Sequence, residues 1–279
     1  MRDSDSKLFF ISGVSSGFGR AFAEAALAAG HRVVGSLRST ADRQAFEQSG
    51  PGRAFGVLLD VTDEAAIDTV IAGVEREHGP IEVLVNNAGY GHEGILEESP
   101  LAELRRQFDV NLFGAVALIK AVLPGMRQRR SGRIINITSM GGFITMPGIA
   151  YYCGSKFALE GISETLASEV RAFGVHVTAV APGSFRTDWA GRSMQRSARS
   201  IGDYDALFEP IRAARENKSG RQNGDPHKAA QALLQLIAMN EPPTHLLLGS
   251  DAVELVQNKL AALQDEIARH AALSRSTDY

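Results

Sequence analysis

The chain has 279 residues, 44% of them hydrophobic and 22% charged, with a formal net charge of −3. That balance suits a globular protein long enough to bury a substantial core, and it supplies no global positive field for nucleic acid. One cysteine, Cys153, permits no intrachain disulfide and suggests no metal cluster.

The polar start "MRDSDSK" leads into four apolar residues, "LFFI". That run is too short for a signal peptide or a membrane span, and no other segment reaches roughly 18 consecutive apolar residues. A cytoplasmic protein without a membrane partner is the default expectation. "LFFIS" (8–12) reads as a buried strand, and 19–30 as an alanine-rich helix ended by Gly30. Further strands follow at 31–38, 53–61, 81–89, 132–139, 175–183 and 245–249. Helical patterns lie between them at about 63–78, 101–130, 150–173 and 226–239. The arginines of "MRQRRSGR" (126–133) read as a solvated helix end.

Strands that are nearly continuous apolar runs are buried on both faces, which means a parallel sheet covered by helices on each side. The right-handed crossover rule then predicts an α/β, doubly wound, seven-stranded sheet. No Pro-, Gly- or Ser-rich linker and no internal repeat divides the chain, so one domain over 1–279 is expected. Residues 184–224 stand outside the alternation and read as a long loop, a substrate lid. Residues 251–279 read as a C-terminal helical extension, helical to about His270 and packed on the surface or on a neighbouring subunit.

"SGVSSGFGR" (12–20) directly follows the first strand. Gly13, Gly17 and Gly19 let the backbone turn sharply and approach a pyrophosphate, whose charge a helix N-terminus favours. Alone, such a triplet is also a plain turn. The second strand ends in Ser36-Leu37-Arg38-Ser39-Thr40, with no acid for a ribose 2′-hydroxyl. A guanidinium there pairs well with a 2′-phosphate, favouring NADP(H) over NAD(H). Asp60, ending the third strand, either accepts from the adenine amino group or caps the helix that begins near Asp63.

These residues resemble the short-chain dehydrogenase/reductase family, in its shorter single-domain branch with a Rossmann-type fold. Five motifs match in order across nearly the whole chain. They are the glycine turn Ser12–Gly19, Asn86-Asn87-Ala88-Gly89, Asn111 in "FDVNLFG" and Ser139 thirteen positions before Tyr152-Cys153-Gly154-Ser155-Lys156, then Pro182-Gly183 followed by Thr187. "SLRS" and "LLLGSDA" carry a closer likeness to 17β-hydroxysteroid dehydrogenase-like reductases. On the matching positions the resemblance implies a cofactor bed. In the glycine turn it comprises Gly13, Ser15, Ser16, Gly17, Phe18 and Gly19; at the next two strand ends, Arg38, Asp60 and Val61. After the fourth and sixth strands it adds Asn87, Ala88, Gly89, Pro182, Gly183, Phe185 and Thr187, with Tyr152 and Lys156 from the helix between.

Positions i and i+4 share a helix face, so Tyr152 and Lys156 project together while Tyr151 turns away to pack. A phenol titrates near pH 10, and a nearby ammonium lowers that value toward the working range of an acid–base group. The resemblance implies that Tyr152 exchanges the proton of a carbonyl or alcohol oxygen. By the same implication Lys156 lowers the Tyr152 pKa and holds the nicotinamide ribose, Ser139 holds the substrate oxygen, and Asn111 positions a relaying water.

Ligands of doubly wound sheets sit beyond the C-terminal strand ends. There the chain offers Tyr90, His92, Met140, Phe143, Ile144, Met146, Phe185 and Trp189. That lining suits a neutral lipophilic ketone, aldehyde or secondary alcohol, unless these side chains pack against one another or His92 is solvated. Inward folding of the lid arginines Arg186, Arg192, Arg196 and Arg199 would admit an acidic substrate. The family's paired helices imply a homodimer or homotetramer through 101–130 and 150–173. A dinucleotide-sensing regulatory protein and a sugar-nucleotide epimerase or dehydratase are the alternatives.

Overall fold

The computed structural model describes residues 6–187, 189, 191 and 193–279. Seven strands form one sheet: β1 (Leu8–Ile11), β2 (Arg32–Leu37), β3 (Ala54–Leu58), β4 (Val83–Asn86), β6 (Gly132–Ile137), β7 (Val175–Pro182) and β9 (His245–Leu248). Every neighbour is parallel, in the order β3-β2-β1-β4-β6-β7-β9. The order reverses beside β1, where the chain crosses to β4 and opens the crevice that doubly wound folds use for ligands.

Alternate residues of each strand point to opposite faces. Phe9 and Ile11 of β1 join a core with Phe22 and Ala26 of α1 (Gly17–Ala28) and Leu233 and Leu236 of α8 (Pro226–Ala238). Leu8 and Phe10 join the other core. That one contains Ile67 and Ile71 of α3 (Glu64–His78), Leu118 and Met126 of α5 (Gly114–Gln128), and Leu166 of α6 (Ala150–Val170). Both faces being covered, the central strands are largely apolar on both sides, hence their hydrophobic runs.

α4 (Leu101–Phe108) continues through a π-helical turn (Asp109–Phe113) into α5 as one helix. By length and composition alone it could cross a membrane. Leu118, Val122 and Met126 are nevertheless fully buried against the sheet and α3, as in a core helix.

The structure corrects four expectations. Residues 184–224 are not a structureless loop: they contain β8 (Met194–Arg196), paired in parallel with β5 (Gly91–Glu93), and the helix α7 (Asp205–Lys218). Phe208 is the buried side chain of α7, and Pro210 sits inside it, so the segment shows neither an apolar stripe nor clean helix propensity. α2 (Thr40–Gln48) was silent for the same reason, burying Phe46 and relying on Ser39 as its cap. The last helix, α9 (Ser250–Arg275), runs beyond His270 and buries Ala252 and Val256 near its start. The basic run is solvated only in part: Arg127 and Arg130 are exposed, but Arg129 donates to the Ile81 carbonyl, Arg130 to Ala172 and Arg133 to Met239.

Candidate active site

The crevice floor is the turn between β1 and α1. Ser12 Oγ accepts the backbone N–H groups of Asn87 and Ala88, both at 2.9 Å. Asn87 Nδ2 returns bonds to the carbonyls of Ser12 and Gly13, both at 3.0 Å. This ties the glycine turn to the end of β4. Gly13 and Gly17 have φ of +73° and +56°, which glycine alone adopts freely. A Cβ on Gly19 would strike the Gly13 carbonyl. Ser16, the N-cap of α1, makes no side-chain cap bond. Its first N–H groups are therefore left for an outside acceptor, and the glycines clear the approach: the cradle fits a dinucleotide pyrophosphate.

Thr187 packs over Gly17. Phe18 stacks on Phe22 and meets Phe185 edge-on, at 5.5 and 5.1 Å between centroids. Phe185 thus belongs to this flank rather than to the substrate space. Gly183 follows Pro182, and its N–H donates to Leu248. Ser15 lines a cavity with Val14 and Leu37 at the tip of β2, where Arg38 is exposed. Asp42, the first acid after it, is bonded by Ser39 Oγ at 2.7 Å. Asp60 accepts the backbone and hydroxyl of Thr62, and Asp63, not Asp60, caps α3. Burial raises the Asp60 pKa, but these bonds and the charges of Arg38 and Arg106 outweigh it and hold the carboxyl below its ordinary value. Val61 is buried beside Gly114, where a Cβ would meet its carbonyl at 2.7 Å.

Tyr152 and Lys156 lie in the first turns of α6, both buried. Ser139, at the tip of β6, hydrogen-bonds the Tyr152 phenol, and its Oγ accepts the Gly141 N–H at 3.0 Å. Lys156 Nζ lies 5.9 Å from the Tyr152 ring centre and donates to the Ile137 carbonyl at 2.8 Å. Asn111 occupies the π-turn. It accepts the Tyr90 N–H and donates to the Tyr90 carbonyl, both at 3.1 Å, and to Ser155 Oγ at 3.2 Å. A Cβ on Gly89 would stand 3.1 Å from Asn111 Oδ1 and 3.7 Å from Lys156 Nζ, so both polar groups converge there, over Ala88 and Gly89. Tyr151 turns away: its hydroxyl donates to Ser99 at 2.7 Å.

The electrostatics differ from expectation. Burial pushes the Tyr152 phenol well above its ordinary value; the Ser139 bond pulls it down and Cys153 adds to the rise. Burial likewise draws Lys156 down to about 8, opposed by the charge of Glu160. In this state Tyr152 is a held proton, suited to donation.

Around it, the Trp189 ring lies 5.0 Å from Tyr152, and Met146 and Ile149 pack beside them. Tyr90 Oη and Trp189 Nε1 are buried without a partner. Burial pushes the Tyr90 phenol up to about 12. Met140 heads the turn after Ser139. Phe143 leans edge-on to His245, 5.6 Å between centroids. His92 is neither solvated nor in this space: it is 1% exposed, bonded to Ser197 Oγ at 2.9 Å and stacked on Tyr151. Arg186 donates to the Gln222 carbonyl. Arg196 pairs with Glu93 at 3.2 Å and Arg199 with Glu98 at 2.8 Å, so neither guanidinium is turned toward substrate. Arg192 lies outside the described residues.

Sequence reasoning missed Glu93, Glu98, Arg212 and Arg215, which fasten β5 to β8 and α7. Their partners lie about a hundred residues away along the chain, where no spacing rule reaches.

The short chain dehydrogenase family model matches residues 7–198. The chain belongs to the short-chain dehydrogenase/reductase family. It is an oxidoreductase of that family, acting between CH–OH and C=O with a nicotinamide cofactor. Among curated relatives it is 39% identical to the oxidoreductase BOA17 of Botryotinia fuckeliana, over 89% of this chain and 90% of that one. It is 34% identical to the 3-ketodihydrosphingosine reductase of Bacteroides thetaiotaomicron, over 95% and 96%. A short-chain dehydrogenase from Streptomyces avermitilis has the same structure, with a TM-score of 0.91, 40% identity, and 99% and 100% of the two chains covered.

Proposed function

We propose that the chain is an NADP(H)-dependent oxidoreductase whose substrate is a neutral, lipophilic ketone or aldehyde, or the corresponding secondary alcohol, with Tyr152 as acid and base. The observation that carries this reading is the buried Tyr152 phenol, protonated, bonded to Ser139 and one turn from Lys156, at the open end of the glycine cradle. When bound, the nicotinamide supplies or accepts the hydride. Ser139 orients the reacting oxygen, and Tyr152 Oη gives it a proton in reduction or removes one in oxidation. Lys156 and Asn111 line the path by which that proton is replaced. Ala88 and Gly89 form the wall between them.

Arg38 at the β2 tip, with Asp42 already engaged by Ser39, supports NADP(H) over NAD(H). The apolar wall of Trp189, Met146 and Ile149 supports a lipophilic substrate. The commitment of Arg196 and Arg199 to carboxylates argues against an acidic one. The Bacteroides relative is named for reducing the keto group of a sphingoid lipid, which agrees in kind. Phe113 of the π-turn and Phe157 and Ile162 of α6 stay exposed, which supports pairing with a second copy through that face.

The test is a fluorescence titration with NADPH and with NADH, followed by NADPH oxidation in the presence of long-chain ketones. Tight NADPH binding with turnover is expected. Preference for NADH, or binding without turnover of any ketone or alcohol, contradicts the reading.

A further inference from the structure

One helical turn beyond Lys156 lies a buried carboxylate that the proposed chemistry does not use. Glu160 is 5% exposed. Its Oε1 accepts the hydroxyl of Thr138, the neighbour of Ser139. Its Oε2 lies 2.8 Å from Nδ1 of His245. His245 opens β9, and its side chain is 31% exposed. A line of polar side chains thus runs from the strand end bearing Ser139, past the back of Lys156, to solvent. Gly142 permits it: a Cβ there would stand 2.8 Å from Glu160 Cγ and 2.9 Å from the Lys156 carbonyl.

We propose that Glu160, held in place by Thr138 and His245, is a positioning residue that answers the Lys156 charge from behind, with His245 as its positioning partner. This rests on the roles proposed above for Tyr152 and Lys156. A carboxylate is kept inside a protein when its charge is answered. Burial holds the Glu160 carboxyl above its ordinary value; the bonds from Thr138 and His245 and the charges of His245 and Lys156 oppose that rise without cancelling it. In return the Glu160 charge raises Lys156 against its burial.

Lys156 and Glu160 stand four residues apart on α6 and so share a helix face. A carboxylate on that face favours the ammonium form of the lysine. Glu164 also lies near, 3.8 Å from His245 Nε2.

The test is a pH titration of the Lys156 amine by nitrogen-15 NMR in the full chain, labelled at lysine, for the wild type, Glu160→Gln, Glu160→Asp and His245→Gln. Glu160→Gln is expected to lower the Lys156 midpoint by about one unit, the low end of what a nearby opposite charge does. Glu160→Asp restores most of it, and His245→Gln alters the midpoint while leaving NADPH binding unchanged. An unmoved Lys156 midpoint in Glu160→Gln overturns the proposal, and if that variant does not fold, an unmoved midpoint in His245→Gln does so. The titration needs no turnover, so failure of the oxidoreductase reading shows separately, as absence of NADPH-dependent activity in the wild type. Where the wild type is active, the upper pH limb of kcat moves with the Lys156 midpoint, which a merely structural role would not produce.

Discussion

The glycine cradle and the segment proposed as a lid are built by opposite means. The cradle, from β1 to β4, is made of backbone: glycines at positive φ, a helix end without a cap, and Asn87 and Ser12 joining two strand ends. The lid, β8 and α7, is fastened by charge. Glu93, 1% exposed, faces Arg215 at 2.5 Å, Arg196 at 3.2 Å and Arg212 at 3.8 Å. Glu98 accepts the N–H groups of Ser200 and Ile201 and pairs with Arg199, which also reaches Asp205 and Glu209. A backbone cradle is rigid and indifferent to pH and salt. A charge-fastened segment has a discrete set of contacts that can be released, which is what a lid would need.

The largest separation of the two regions is expected from Glu93→Ala. It leaves three guanidiniums facing one another, and breaking a buried pair costs about 3–5 kcal/mol. Proteolysis within 197–224 should accelerate and KM for a ketone rise, while NADPH affinity holds. Equal loss of NADPH binding would mean that lid and cradle are one unit. Gly19→Ala attacks the other side. Its Cβ meets the Gly13 carbonyl, which cannot yield as a side chain would, at a cost of roughly 1–3 kcal/mol. NADPH affinity and Tm should both fall, with lid proteolysis unchanged below the melting transition.

Arg38→Ala is a smaller change, on the surface of the cradle. It should weaken NADPH about tenfold, near 1.4 kcal/mol, and leave NADH alone; a parallel loss for both cofactors would remove the 2′-phosphate from the account. The smallest effect is a pH dependence. The Ser200 N–H, then that of Ile201 and the Arg199 guanidinium, hold the Glu98 carboxyl at about 2. A depressed carboxyl contributes stability that is fully present above its unfolded value, about 4.3, and fades as pH falls toward 2. Hydrogen-exchange protection of the Ser200 and Ile201 amides should therefore persist at pH 5 and disappear between about 4 and 2, before the sheet amides open.

The same contrast explains what the sequence disclosed. Its seven sheet strands were legible because the central ones are buried on both faces and so largely apolar. Gly13, Gly17 and Gly19 and the pair Tyr152 and Lys156 were legible because their partners are near in sequence. α7 was not, since its packing rests on Arg212 and Arg215 meeting Glu93 across the chain. Nor was the placement of Asn111 in a π-turn, which depends on the Tyr90 backbone. His92 was misread because a loop histidine says nothing of the Ser197 and Tyr151 that enclose it. The raised Tyr152 phenol was not legible because spacing fixes a shared face but not burial, and burial dominates both groups.

The central claim is that Tyr152 carries the proton. The most direct measurement compares the wild type and Tyr152→Phe for NADPH oxidation by a long-chain ketone, with NADPH binding followed on the same samples. Unchanged binding with a loss of kcat of about 10²–10⁴-fold is predicted. A Tyr152→Phe protein that binds NADPH and turns over at the wild-type rate would contradict it.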